Sequence, residues 1–277
     1  MGVKVWKVHL DRPGMPGWSA LSEAECERAL RFADPLERRR WVVARSTLKR
    51  ILGELCGIPA ARLAFSTEAG GRPRLAVHTE ALHTEALHTE ALHTEALHTE
   101  ALHTEALHTQ GHGGRLGLAP AADGSDRPLD GSGRLPDGCD RSQGLDFNLS
   151  HSGEWALIAV APEGRRVGVD VERISSDADI LELAARMYQP EEVERVRAAG
   201  APEFFRLWTA KEAYIKATGV GLAGLRDTRV TPAHEGSAAL VGSRSLDGEW
   251  PVRWLDVAPG YAAAVVTTAS TPEPRTG

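Results

Sequence analysis

The chain has 277 residues, 42% of them hydrophobic and 25% charged, a composition that excludes a fibrous protein and leaves room for one large core or two smaller ones. The formal charge of −6 is concentrated between His78 and Gly144, where eleven acids face four arginines; elsewhere 27 acids face 28 bases, so bulk charge gives no footing for nucleic-acid binding. No apolar run is long enough for a signal peptide or a bilayer span, and Cys26, Cys56 and Cys139 are scattered, so a cytoplasmic protein with reduced thiols and no membrane partner is expected.

Val3, Val5, Val8 and Leu10 alternate with other residues up to Asp11-Arg12-Pro13, the period of an opening strand. Ser22-Glu-Ala-Glu25 has the spacing of a capping box at a helix start. A second helix is predicted from Arg38 to Leu55, with Trp41, Leu48, Leu52 and Leu55 near one face. Its basic flank, Arg38, Arg39, Arg45, Lys49 and Arg50, reads as solvated surface and by itself defines no anion site.

From His78 to Leu107 the pentapeptide His-Thr-Glu-Ala-Leu occurs six times without change. A five-residue period rotates each leucine by about 140° on a helix and sends successive leucines to opposite faces of a strand, so neither geometry buries a stripe. Histidines five apart do not share a helix face either, which argues against a metal tract. The Gly-, Asp- and Pro-rich run that follows, to Gly144, has linker composition. Together these residues, about 78–144, are expected to be a long disordered or low-complexity insertion.

Beyond it, Phe147–Val160 and Arg166–Ile174 read as strands, Ile180–Ala199 and Phe204–Thr218 as helices, and Trp250–Leu255 and Tyr261–Thr267 as closing strands. Such alternation in both halves predicts an α+β protein of two parts, an N-terminal one over 1–166 containing the insertion, a C-terminal one over 167–270, and a tail.

Three constellations carry chemistry. In Val167-Gly-Val-Asp-Val-Glu-Arg173 the carboxylates of Asp170 and Glu172 share one strand face. Two readings are open: a hard divalent cation between them, or an edge strand whose acids face water. On the helix from Phe204, Lys211 falls at about 40° from Leu207, inside the apolar arc, so its ammonium must snorkel outward or meet an anion. Glu212 and Lys216 lie opposite, four apart, in the spacing of a surface ion pair. The third is Asn148-Leu-Ser-His-Ser-Gly153, read as a turn whose hydroxyls, imidazole and N–H groups either hold phosphate or only shape the chain.

In their order these motifs, Asn148-Leu-Ser-His-Ser-Gly153, Gly168-Val-Asp-Val-Glu172 and Trp208-Thr-Ala-Lys-Glu-Ala-Tyr-Ile-Lys216, resemble the signature set of Sfp-type 4'-phosphopantetheinyl transferases. Gly71-Arg72-Pro73 resembles that family's Gly-Lys-Pro, with arginine for lysine, and Asp11-Arg-Pro13 and Pro259-Gly-Tyr261 also fit. The resemblance implies two similar α/β subdomains related by a pseudo-twofold, a monomer that is its own pseudo-dimer, with coenzyme A between the halves. It implies Mg2+, with Mn2+ as a substitute, held by Asp170, Glu172 and Glu212, and catalytic roles for Asp170, Glu212 and Lys216. Lys211 and Lys216 would bind phosphate or the pantetheine side, Ser150 and His151 the 3'-phosphate, and Arg72 the adenine region, with Arg28 and Arg40 adding phosphate contacts. The role of Glu192 stays open. The implied reaction moves phosphopantetheine from coenzyme A to a serine of an acyl or peptidyl carrier protein and releases adenosine 3',5'-bisphosphate. The alternatives are a non-catalytic coenzyme A-binding module and a metal-dependent phosphodiesterase or nuclease.

Overall fold

A computed structural model of the chain describes residues 3–14, 17–68, 71–77, 144–175, 179–232, 239–243, 246 and 248–268. The pentapeptide repeat, the linker up to residue 143 and the tail from 271 lie outside the described residues.

In chain order the first half holds β1 (Lys4–His9), α1 (Glu23–Leu30), α2 (Pro35–Cys56), β2 (Leu63–Thr67), β3 (Pro73–Val77), β4 (Asp146–Ser152) and β5 (Trp155–Ala161). The second holds β6 (Arg166–Arg173), α3 (Ile180–Met187), α4 (Pro190–Ala199), α5 (Ala201–Thr218), β7 (Thr228–Thr231), β8 (Leu240–Ser243), β9 (Glu249–Trp254) and β10 (Tyr261–Thr268). The fold is α+β. One antiparallel sheet runs β1-β5-β4, another β6-β10-β9-β8-β7, and β2 and β3 form a separate hairpin. The first strand of each half therefore pairs with its last, and the last with the one before it, the two similar subdomains expected.

Local chemistry sets the helices. Ser22 and Glu25 close the expected capping box: Ser22 Oγ accepts from Glu25 N, and the Glu25 carboxylate accepts from Ser22 N at 2.8 Å. Asp34 caps α2 by accepting from Leu36 N, with Pro35 at the first helical position, so the helix starts three residues before the predicted Arg38. The single helix predicted over Ile180–Ala199 is two, because Pro190 cannot continue a helix and instead opens α4, whose first turn Gln189 and Glu192 cap reciprocally. The strand predicted over Phe147–Val160 is the hairpin β4-β5. Ser150, His151 and Ser152, expected in a turn, are strand residues, and the turn falls at Gly153-Glu154.

Val8, Leu10, Leu48, Leu52, Phe147 and Ile158 fill the core of the first half, and Phe204, Phe205, Leu207, Tyr214, Val241 and Val266 that of the second. A third cluster joins them: Leu157, Ala159 and Ala161 of β5 against Val167, Val169 and Val171 of β6 and Val265 of β10. Burying such side chains contributes about 1.5–3 kcal/mol each, so the halves meet through a core and not a wet contact. With the valines of β6 turned to this cluster, alternation sends Gly168, Asp170 and Glu172 to the opposite face, towards α5. Gly168 is what lets α5 lie so close: a Cβ there would stand 1.9 Å from the carbonyl oxygen of Ala213. No helix among the described residues is long and apolar enough to cross a membrane.

Candidate active site

β4 and β6 run side by side without backbone pairing. Instead, alternate side chains of β4 reach the free N–H groups along the edge of β6. Asp146 Oδ2 accepts from Val167 N, Asn148 Oδ1 from Val169 N at 2.9 Å, Ser150 Oγ from Val171 N at 3.4 Å and Ser152 Oγ from Arg173 N at 3.1 Å. An edge strand exposes such donors, and here polar residues two apart satisfy them in turn.

The two serines do more than cap. Ser150 Oγ donates to Asp170 Oδ1 at 2.8 Å, and Ser152 bonds the carboxylate of Glu172. From α5, Lys216 Nζ reaches Asp170 Oδ1 at 2.9 Å and Ser150 Oγ at 3.2 Å. Asp170 is 2% exposed, and its Oδ2 is buried with no hydrogen-bond partner. Burial first, then the charge of Asp170, pushes the Glu172 carboxyl well above the usual carboxylate range; Lys216 and Ser152 counter this and Glu212 adds to it. The influence of Glu212 on Glu172 places the three acids within electrostatic reach of one another across 42 residues of sequence. Glu212 is buried against the sheet, so with Lys216 it is not the surface ion pair that helix spacing allowed.

An all-oxygen donor set that includes the unsatisfied Asp170 Oδ2 and a carboxyl destabilised by its neighbours suits a hard divalent cation. Nevertheless, among the described residues no group of three His, Cys, Asp or Glu side chains is arranged to hold a metal ion. The cation seated against Asp170 is the Lys216 ammonium.

Other expected residues lie elsewhere. Lys211 is fully buried, and its ammonium is held by Glu192 Oε2 at 2.6 Å and Thr228 O at 2.8 Å, above the Tyr188 ring. The anion demanded by its place in the apolar arc is thus an internal glutamate, which also accepts from Val230 N at 2.8 Å. Arg72 is 4% exposed. Its guanidinium donates to the carbonyls of Lys216 (2.6 Å) and Ala217 at the end of α5, to Val167 O and to Asp146, tying the β2-β3 hairpin to the second half. Its donors are turned to helix-terminal carbonyls, so it offers no open fork to an adenine. Arg28 stacks over Trp41, and Arg40 is held by Asp11 at 2.8 Å and Glu37 at 3.1 Å. His151 is half-buried on the face of β4 opposite Ser150.

Two contacts had no reading in the sequence. The Tyr261 hydroxyl donates to Glu154 Oε2 at 2.7 Å, clasping the β4-β5 turn to β10, and burial and that bond push the tyrosine up to about 12. Ser152 is the other, although the period-two polar pattern Asp146, Asn148, Ser150, Ser152 was its visible signal.

Fold and site together define a two-part α+β protein with a carboxylate and lysine cluster at the seam between its halves. Residues 166–266 match the 4'-phosphopantetheinyl transferase superfamily. The chain is similar to the 4'-phosphopantetheinyl transferase HetI of Nostoc, 29% identical over 235 residues that cover 82% of this chain and 73% of that protein. It is similar also to psf-1 of Bacillus pumilus, 37% identical over 44% of this chain and 52% of the relative, and to Sfp of Bacillus subtilis, 29% identical over 43% and 53%. The match over residues 166–266 and these relatives support an enzyme of the 4'-phosphopantetheinyl transferase class.

Proposed function

We propose that the enzyme transfers the 4'-phosphopantetheine group of coenzyme A to a serine hydroxyl of an apo-carrier protein, acyl or peptidyl, and releases adenosine 3',5'-bisphosphate. What supports this reading is the approach of Lys216 Nζ to Asp170 Oδ1 at 2.9 Å, beside Glu172 and with the buried Glu212 on the same helix as Lys216.

Asp170, Glu172 and Glu212 would hold Mg2+, or Mn2+ in its place, which when bound neutralises charge on the diphosphate of coenzyme A. The residues of the chain do the rest. Lys216, on the last turn of α5, supplies an ammonium beside the acids that would exchange Asp170 for an oxygen of the diphosphate as negative charge develops there. Glu212 is the carboxylate we assign as acceptor of the carrier serine's proton, because it alone of the three acids comes from the helix and not from β6. Arg40, freed from Asp11, would offer a planar fork to phosphate, and His151 a second donor.

On this reading residues 1–166 and 167–270 are the two subdomains, the protein acts as a monomer in the cytoplasm, and neither nucleic acid nor membrane takes part. The test is to incubate the full chain with coenzyme A, Mg2+ and a panel of apo-carriers and to read the phosphopantetheine mass increment. The reading predicts the increment on at least one carrier and its loss in Glu212→Gln and with chelator. A folded protein that binds coenzyme A yet modifies no carrier would overturn it.

A further inference from the structure

β1 lies at the edge of its sheet, and its outer side is open. Leu10 N donates to Glu154 O at 2.8 Å, and the register runs unbroken from Lys4↔Val160 to His9↔Trp155, so the backbone groups of Lys4, Trp6, Val8 and Leu10 turn inward to β5. Those of Val3, Val5 and Lys7 turn outward, and among the described residues no backbone group pairs with them. The edges of β6 and β7 differ: side chains of β4 serve the first, and Glu192 and Lys211 engage Val230 N and Thr228 O of the second.

Beside the open edge runs a groove of about 320 Å3, with Val3 and Val5 on one side, Leu255 and Val257 on the other and the buried Leu157 beneath. A chain added to β1 would set every second side chain into it. The rim carries the exposed Lys7 and Arg253 against one acid, Asp256, and Lys4 is exposed on the other face of the strand. Lys7 gives one N–H to Val257 O at 2.7 Å and keeps two. Lysines on an edge discourage a second copy, which would bring its own Lys4 and Lys7 to the same short ladder, and they attract a strand that carries carboxylates.

We propose that the open edge of β1 and the groove beside it dock an extended segment of a partner protein in which apolar and acidic residues alternate, added antiparallel to β1. The apolar side chains fill the groove, and the acidic ones face Lys4 within the field of Lys7 and Arg253. The groove shares no side chain with the acid and lysine cluster, so docking is independent of coenzyme A and of the reading of the active site.

The probe is a fluorescein-labelled peptide, Glu-Val-Glu-Val-Glu-Val-Glu, titrated with the full chain and read by fluorescence anisotropy. Saturable binding is expected, unchanged by coenzyme A. N-methylation of the valines, whose N–H groups face β1 in an antiparallel pair, should weaken it at least about tenfold, whereas N-methylation of the glutamates, whose N–H groups face away, should cost about twofold or less. Replacing the glutamates with lysine should weaken it about tenfold. On the protein side, Val5→Pro removes an outward N–H and no bond to β5, so this variant should melt near the parent and bind about tenfold more weakly. Arg253→Glu, at an exposed position, is a second variant should the proline fold poorly, with a loss of about threefold. No saturable binding, equal binding of the valine-methylated peptide, or tighter binding of the lysine peptide would overturn the proposal. So would a chain that ignores the peptide and sediments as a dimer that Val5→Pro dissolves, which would assign the edge to a second copy.

Discussion

Lys211 and Glu192 form an ion pair at 2.6 Å in which neither side chain is exposed, and the first half repeats it: Lys49, fully buried, meets Glu25 at 2.7 Å. The correspondence is close. Each lysine stands seven residues before the last residue of the long helix, Cys56 or Thr218, and each glutamate caps the start of a shorter helix. The pairs therefore fasten a short helix to a long one in both subdomains, a role that has no need of substrate.

Removing one member strands a buried charge. Lys211→Met is expected to cost about 3–5 kcal/mol in urea denaturation. Adding Glu192→Gln should recover part of that, since glutamine still accepts from Val230 N. Were Lys211 a phosphate ligand, the single variant would keep its stability and lose coenzyme A affinity instead.

The Glu25 pair gives a pH dependence. Burial pushes the Glu25 carboxyl up, but Arg45 at 2.6 Å and the hydrogen bond from Lys49 outweigh it and leave the group below its usual range. A depressed carboxylate stabilises the fold above its unfolded value of about 4.3, and the contribution fades as pH falls through the folded value. Glu25→Gln should accordingly be less stable than the parent by a constant margin above about pH 5, and the gap should narrow below about pH 4. Thermal melts of both proteins across that range measure it; a gap that widens towards acid would mean that Glu25 is not held as an anion.

Much of this was legible in the sequence where the cause is local. The capping box at Ser22 and Glu25, the strand face shared by Asp170 and Glu172, and the misfit of Lys211 in an apolar arc all follow from spacing. What answers a local signal from far away was not legible. Lys211 announced that it needed an anion but not that Glu192, nineteen residues upstream, supplies it. Arg72 stands beside a proline and glycine that resemble a nucleotide-binding motif, and nothing nearby reveals that its partners are the carbonyls of residues 216 and 217. Ser150 and Ser152 looked like a turn because Gly153 follows them, whereas pairing with β5 carries the strand to the glycine's edge.

Arg72 yields a third prediction. Its guanidinium satisfies two carbonyls of the last turn of α5 and bonds Asp146, which in turn accepts from Val167 N. Lysine cannot reproduce a planar fork with that many donors. Arg72→Lys is therefore expected to lose about 1–3 kcal/mol of stability, as buried acceptors go unsatisfied. Because Lys216 sits on the turn so released, carrier modification should slow through kcat more than through the KM for coenzyme A. An unchanged melting temperature with a raised KM would instead place Arg72 at the nucleotide.

The same arginine bears on the repeat. Arg72 precedes β3 and Asp146 begins β4, so their ion pair joins the two sides from which residues 78–143 depart, and β3 packs beside β4. Closure entropy grows only with the logarithm of loop length, so replacing a segment of this size with a short linker changes stability by only about 1–2 kcal/mol, in the favourable direction. None of the side chains assigned to metal, diphosphate or proton transfer belongs to it. Deleting Thr79 to Ser142 is therefore expected to leave a folded enzyme, no less stable than the parent, with the rate of carrier modification unchanged. The decisive comparison is of melting temperature together with turnover: a deletion variant that melts normally but has lost transfer would show that the pentapeptide segment contributes to substrate binding or chemistry.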